Sequence, residues 1–300
     1  MANSISLVTK FLPLIDEIYA AEAKTSVLEK PEFVQYLDGA NAVKIMKLAI
    51  EGLGNYSREN GYAKGAISAI WETHTLSYDR GRKFILDKMD NEETMGLTLG
   101  AAMKEFHRTK VAPEIDAFRF AKLASKAGLT TNGATLTAST ASGAIDDAIA
   151  EMKEAEVPLE GGYLFITPTV KKYVSQSASY VKNINGAVKQ GRTADFDTYE
   201  TLKVIEVPQT RFYTAIDLYD GVSSGETAGG YEKASAGKDI NFMIVANGTA
   251  LPVIKHNSSN LIDGSKDSGD YDAWVLKYRL YHDIFVPDNK VKGIYLHKKA

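Results

Sequence analysis

The chain of 300 residues has no cysteine, which excludes disulfides, thiolate catalysis and Cys-ligated zinc or iron–sulfur centres. It also has little net charge: 35 Lys and Arg stand against 38 Asp and Glu, a formal charge of −3. A protein that coats nucleic acid needs surplus cations to displace counterions from phosphates, and the balance here supplies none. No apolar run approaches the roughly 18 residues of a membrane-spanning helix. The opening residues Met1-Ala2-Asn3-Ser4-Ile5-Ser6 lack a basic stretch followed by an apolar one, so no secretory signal is expected. The sequons at Asn55, Asn247 and Asn257 then read as chance matches. Tryptophan is scarce, with 2 against 16 tyrosines and 11 phenylalanines. Tyrosine joins an apolar body to a polar tip, which suits contact surfaces that are wet at one edge. What remains is ordinary globular composition, long enough for about two domains.

Catalytic and cofactor signatures are equally thin. Gly221-Val222-Ser223-Ser224-Gly225 fits G-x-S-x-G, but a nucleophile elbow needs a strand before it and a helix after it. The following Glu226-Thr227-Ala228-Gly229-Gly230 starts a helix poorly, so a loop is expected and a serine hydrolase using Ser223 is a minor alternative. The five histidines (His74, His107, His256, His282 and His297) are scattered, with no H-E-x-x-H. The acid pairs Asp195/Asp197 and Asp270/Asp272 belong to no EF-hand pattern. There is no Walker A motif and no G-x-G-x-x-G after a strand. No catalytic, metal-binding or cofactor-binding residue is expected.

The pattern along the chain is α+β. An arm comes first, with a helical stripe of Leu7, Phe11, Leu14, Ile15 and Ile18. Residues 41–90 read as a long hairpin: one strand over 43–50, turn chemistry over 55–65, and a second strand over 67–78. Asp79-Arg80-Gly81-Arg82 reads as a turn and 83–87 as a short return strand. This ribbon has few large apolar side chains for a second face, and a two-stranded ribbon is marginal alone in water. It is therefore expected to lie on another molecule.

A helix is expected to open at Asn91, a good N-cap followed by two acids, with Leu99, Met103 and Phe106 on one face. Pro113 should kink or break it, and Gly128 should stop it. Residues 129–142 read as a linker. Beyond them come a helix over 142–156, a strand over 162–168, a helix over 170–179 and a strand over 202–207. Residues 220–238 read as a loop, with strands over 240–245 and 251–254. The tail reads as a hairpin, 274–286 and 291–297 around a turn at Pro287-Asp288-Asn289-Lys290.

Several stretches together resemble the major capsid proteins of tailed bacteriophages with the HK97-like fold. Tyr78-Asp79-Arg80-Gly81 through Asp87-Lys88-Met89-Asp90 to Glu92-Glu93-Thr94 is similar to the end of the family's extended E-loop entering its spine helix. Val111-Ala112-Pro113-Glu114-Ile115-Asp116-Ala117-Phe118-Arg119 resembles the spine helix itself. The stretches 157–168, Val207-Pro208-Gln209-Thr210-Arg211-Phe212 and Tyr278-Arg279-Leu280-Tyr281-His282-Asp283 follow in the family's order. The resemblance implies an N-terminal arm over 1–40 and an E-loop over 41–93. It implies a peripheral (P) domain over 94–130 and 270–300, and an axial (A) domain over 131–269.

The same resemblance implies a structural shell protein, not an enzyme, without cofactors. It would assemble through hexamers and pentamers into an icosahedral shell around double-stranded DNA, without binding that DNA tightly. No long charged N-terminal extension is present, which implies either a separate scaffolding protein or a fused scaffolding segment removed by cleavage, with a portal as a further partner. The location implied is the virion capsid, with assembly in the host cytoplasm and no membrane. Contacts between subunits would fall on E-loop residues Tyr56, Tyr62, Lys64, Ile67, Ile70, Trp71, Leu76, Tyr78, Arg80 and Arg82. An encapsulin-like compartment shell is the nearest alternative.

Overall fold

The computed structural model describes residues 23–29, 35–36, 42–59, 61–62, 64–87, 103–133, 135–176, 197–263 and 273–299. The helical stripe over 7–18, the cap at Asn91 and the acid pair Asp270/Asp272 lie outside the described residues. The first strands are β1 (Gln35–Tyr36), β2 (Ala42–Ile50), β3 (Ile67–Thr75), β4 (Tyr78–Asp87) and β5 (Leu129–Asn132). After them come β6 (Tyr163–Ile166), β7 (Thr198–Tyr199), β8 (Leu202–Glu206), β9 (Ile216–Leu218) and β10 (Tyr231–Lys233). The last are β11 (Ile240–Val245), β12 (Leu251–Asp263), β13 (Ala273–Phe285) and β14 (Ile294–Lys298). The α-helices are α1 (Ala112–Lys126), α2 (Ala141–Glu154) and α3 (Pro168–Gln176).

Six strands in the order β5-β14-β11-β6-β8-β7 form the main sheet. Successive strand side chains point to opposite faces, and the two faces carry separate cores. Leu164, Ile166, Phe242, Ile244 and Tyr295 pack with Ile145, Ile149 and Met152 of α2 and Val170 and Val174 of α3. Phe165, Met243, Val245, Ile294 and Leu296 pack with Phe120 and Leu123 of α1, together with Leu28 and Phe212. Cover on both sides explains why all six residues of β11 are buried.

A second sheet has the order β12-β13-β4, and a third, β1-β2-β3, contains the long hairpin. Val111, Ile115 and Phe118 pack on Tyr78, Tyr278 and Leu280 of the second sheet. The helix that contributes Phe120 and Leu123 to the main core thus also covers β4 and β13.

Several elements depart from the sequence reading. The chain does not turn at Asp79–Arg82: β4 runs straight through, with Gly81 opposite Arg279. A Cβ on Gly81 would lie 2.6 Å from the Tyr278 carbonyl oxygen, so glycine is there for close strand approach. The helix does not break at Pro113. Helical backbone runs from 103 to 126, and the irregularity is one wide π-turn over His107–Val111. A wide turn of this kind makes room for a ring that can neither donate nor tolerate the preceding carbonyl.

Gly128 does follow the helix end, but as a close-contact residue. Its N–H donates to Val291 O at 2.9 Å, and a Cβ would lie 2.6 Å from that carbonyl. Leu129–Asn132, expected as linker, is a parallel edge strand on β14. β12 continues past Ile254 through a register shift, and its polar Asn257-Ser258-Ser259-Asn260 pairs with 277–280. The expected C-terminal hairpin is absent. β13 and β14 lie in different sheets, joined by the 3₁₀ segment Asp288–Gly293. The main sheet thus takes strands from both sides of the boundaries expected near 131 and 270.

Candidate assembly surface

β2 and β3 pair in register from Ala42↔Thr75 to Ile50↔Ile67. Their root is fixed in the body of the chain. Val43 and Leu76 are buried with Leu251, Val253, Tyr281 and Phe285, and the His74 ring stacks on Phe285 at 5.0 Å. Ser77 then donates from both its backbone N–H (2.8 Å) and its hydroxyl (2.7 Å) to the carboxylate of Asp283. Asp283 is fully buried and also accepts the Ile284 N–H at 2.8 Å. The corner between β3 and β4 is therefore a rigid, satisfied joint.

Beyond that root the described side chains at the far end of β2, in the loop and on the first half of β3 are bare. The cross-strand pair Ile50 and Ile67 is 71% and 74% exposed, and Ile70 and Trp71 are 54% and 46% exposed. Leu53 is fully exposed. The connecting loop has order of its own: Ser57 and Gly61 exchange backbone bonds at 2.8 and 3.0 Å. The Tyr56 and Tyr62 rings meet edge-to-face at 5.0 Å. Glu51 Oε2 accepts the Ala66 N–H at 3.0 Å. Large apolar side chains on an ordered, protruding ribbon are the mark of an interaction surface. Burying each would release about 1.5–3 kcal/mol.

The expected contact residues divide into two groups. Tyr56, Tyr62, Lys64, Ile67, Ile70 and Trp71 are exposed on the hairpin. Leu76 and Tyr78 are buried inside the chain. The Tyr78 hydroxyl donates to Glu114 at 2.8 Å, and burial, then the Glu114 charge, hold its pKa well above the usual 10.0. Arg80 pairs with Glu114 at 2.5 Å and reaches Gly230 O at 3.3 Å, while Arg82 donates to Thr227 O at 2.9 Å. These four side chains are engaged within the subunit's own fold: Leu76 packs at the hairpin root, and 78–82 is a strand, not a turn, with Tyr78 facing the helix. Sequence reasoning passed over Ile50 and Leu53. The alternation over 43–50, carried to its end and paired with Ile67, would have placed Ile50 on the ribbon.

Arg80 and Arg82 also line a cleft of about 1130 Å³ between β4, the helix and the 210–233 region. Ser223 lies in the adjoining loop and donates to Asp220 at 2.5 Å. The loop over 219–230 is not followed by a helix, so the elbow context is missing. Among the described residues no three His, Asp or Glu side chains are placed to hold a metal ion, and no helix is long and apolar enough to cross a membrane.

No protein-family model matches the chain, and no curated protein matches its sequence. Solved structures do. The capsid structure of cyanophage P-SCSP1u is similar with a TM-score of 0.60 at 11% identity, over 89% of this chain and 85% of that one. The acidic stable capsid structure of Helicobacter pylori bacteriophage KHP30 gives 0.60 at 10% identity, over 93% and 90%. The virus-like particle from Pyrococcus furiosus gives 0.54 at 10% identity, over 96% and 98%. The chain has the α+β fold of these phage capsid structures, the fold that the resemblance implied.

Proposed function

We propose that this chain is the shell-forming subunit of a tailed-phage capsid. Copies assemble through hexamers and pentamers into an icosahedral container for double-stranded DNA in the virion. A separate scaffolding protein and a portal serve as assembly partners in the host cytoplasm. The observation that carries the reading is the ribbon: a hairpin anchored at a buried root, apolar and exposed beyond it, on a capsid fold. The contact set is Tyr56, Tyr62, Lys64, Ile67, Ile70 and Trp71, joined by Ile50 and Leu53. Obligate interfaces of this kind commonly bury more than about 2,000 Å². Near-neutral overall charge suits a wall that must not grip its contents.

The test is the assembly state of the purified chain, alone and with a co-expressed scaffolding protein. Light scattering and negative-stain microscopy are expected to show closed particles; a persistent monomer under both conditions overturns the reading. The similarity to a virus-like particle, over 98% of the Pyrococcus furiosus chain, leaves room for a second reading: a closed particle that is not a virion, such as an encapsulin-type compartment. Nuclease-resistant DNA inside particles from infected cells supports the capsid, and a single protein cargo supports the compartment.

A further inference from the structure

The layer between helix 103–126 and the strands β4 and β13 is aromatic, and it contains two histidines. His282, on β13, is fully buried; its ring lies 4.3 Å from Tyr78 and 5.5 Å from Phe118. His107 opens the wide helical turn and is 1% exposed. Its ring stands 4.6 Å from Tyr278 and 5.8 Å from Phe106. Among the described residues, neither nitrogen of either ring has a hydrogen-bond partner. Two neutral rings are therefore held dry with their polar atoms unanswered, and a proton on either would be a buried, unpaired charge.

The surrounding charges offer no relief. On the helix side Arg119 repels a protonated His282, and Lys122 stands 3.7 Å from Asp283. The acids are engaged: Glu114 with Tyr78 and Arg80, Asp116 with Lys24, Thr25 and Arg211, Asp283 with Ser77. Beside His107, Arg108 and Lys110 are cationic, and Glu105 is forked onto Arg108 at 2.9 Å.

We propose that this layer is an acid-operated joint: protonation of His107 and His282 parts the helix from β4 and β13 and loosens the hairpin root. The link to the root is covalent. His282 is followed directly by Asp283, whose carboxylate holds Ser77. The inference concerns the single subunit and does not depend on shell formation.

Burial holds His107 at about 4 and, with Arg119, holds His282 well below 6.5. Because the folded values are depressed, the contact is at full strength above pH 6.5. It weakens as pH falls through the window down to about 4, by up to about tenfold per histidine per pH unit.

Hydrogen exchange on the purified full chain at pH 7.5 and pH 5.0, corrected for intrinsic rates, tests this. Opening of peptides from 78–87, 103–118 and 273–285 is expected to rise by on the order of tenfold or more, while β6 and β11 stay protected. The rise should vanish in His107→Phe/His282→Phe. Equal protection of the wild type at both pH values, or an undiminished rise in the double variant, overturns the proposal. Should that variant not fold, side-chain NMR of the wild type decides. The two rings must stay neutral at pH 5.5 in the closed form, and titration near 6.5 with β4 and β13 still protected sinks the idea.

Discussion

Asp116 and Arg119 lie one helical turn apart on α1, both fully buried, and together they fasten residues 23–29 to the body. Asp116 accepts the Lys24 N–H at 2.9 Å, the Thr25 N–H at 3.0 Å, the Thr25 hydroxyl at 2.8 Å and an Arg211 N–H at 3.2 Å. Arg119 donates to Thr25 at 3.2 Å and to Glu29 at 2.7 Å. A carboxylate with this many donors is well satisfied, and removing it leaves the buried Thr25 N–H and hydroxyl without that acceptor. Asp116→Ala is therefore expected to lower the unfolding free energy by about 3–5 kcal/mol, read from denaturant melts. It should also free residues 23–29 to proteolysis; a loss under about 1 kcal/mol would show that water replaces the carboxylate.

At the scale of elements, the hairpin and the helix use opposite devices. The helix tolerates Pro113 by widening one turn and keeps two packing faces. The β3 strand and the loop before it give up packing over most of their described residues, and the hairpin relies on its root. β3 is the outer strand of the β1-β2-β3 sheet, and its first five residues are all exposed. An ordered apolar edge of that kind is a liability unless it has a partner. Ile70→Ser/Trp71→Ser should thus leave subunit stability within about 0.5 kcal/mol, because neither side chain packs on the body. Particle yield should collapse by contrast. Intact particles from this variant, counted by electron microscopy, would remove these two residues from the contact set.

For the whole molecule, the consequence is that the chain has two environments. As a free subunit the 51–66 loop and the strands beside it stand in water. On the proposed reading, assembly lays them against neighbouring copies. Limited proteolysis should cut the free subunit within 51–66 first and spare that segment in purified particles. Equal cleavage in both states would mean that the ribbon stays outside every contact.

Local chemistry was enough to specify much of this protein. The alternation over 43–50 and 67–75, the stripe of α2 and the short apolar runs of β6 and β11 each carry their period in the chain. The exposed ribbon was legible as an absence of apolar residues for a second face. Tertiary structure decided the rest, wherever a residue's role depends on what lies across from it. Gly81 sits in a strand because β13 approaches too closely for a side chain. The threonines of β5 join a sheet because β14 presents an open edge, and the polar half of β12 stays extended because β13 pairs with it. Leu76 and Tyr78 look like their exposed neighbours in one dimension, and only the fold turns them inward, Leu76 onto β12 and β13 and Tyr78 beneath the helix. Periodicity reports which way a side chain points relative to its own strand or helix; it carries no information about which distant segment fills the space it points into.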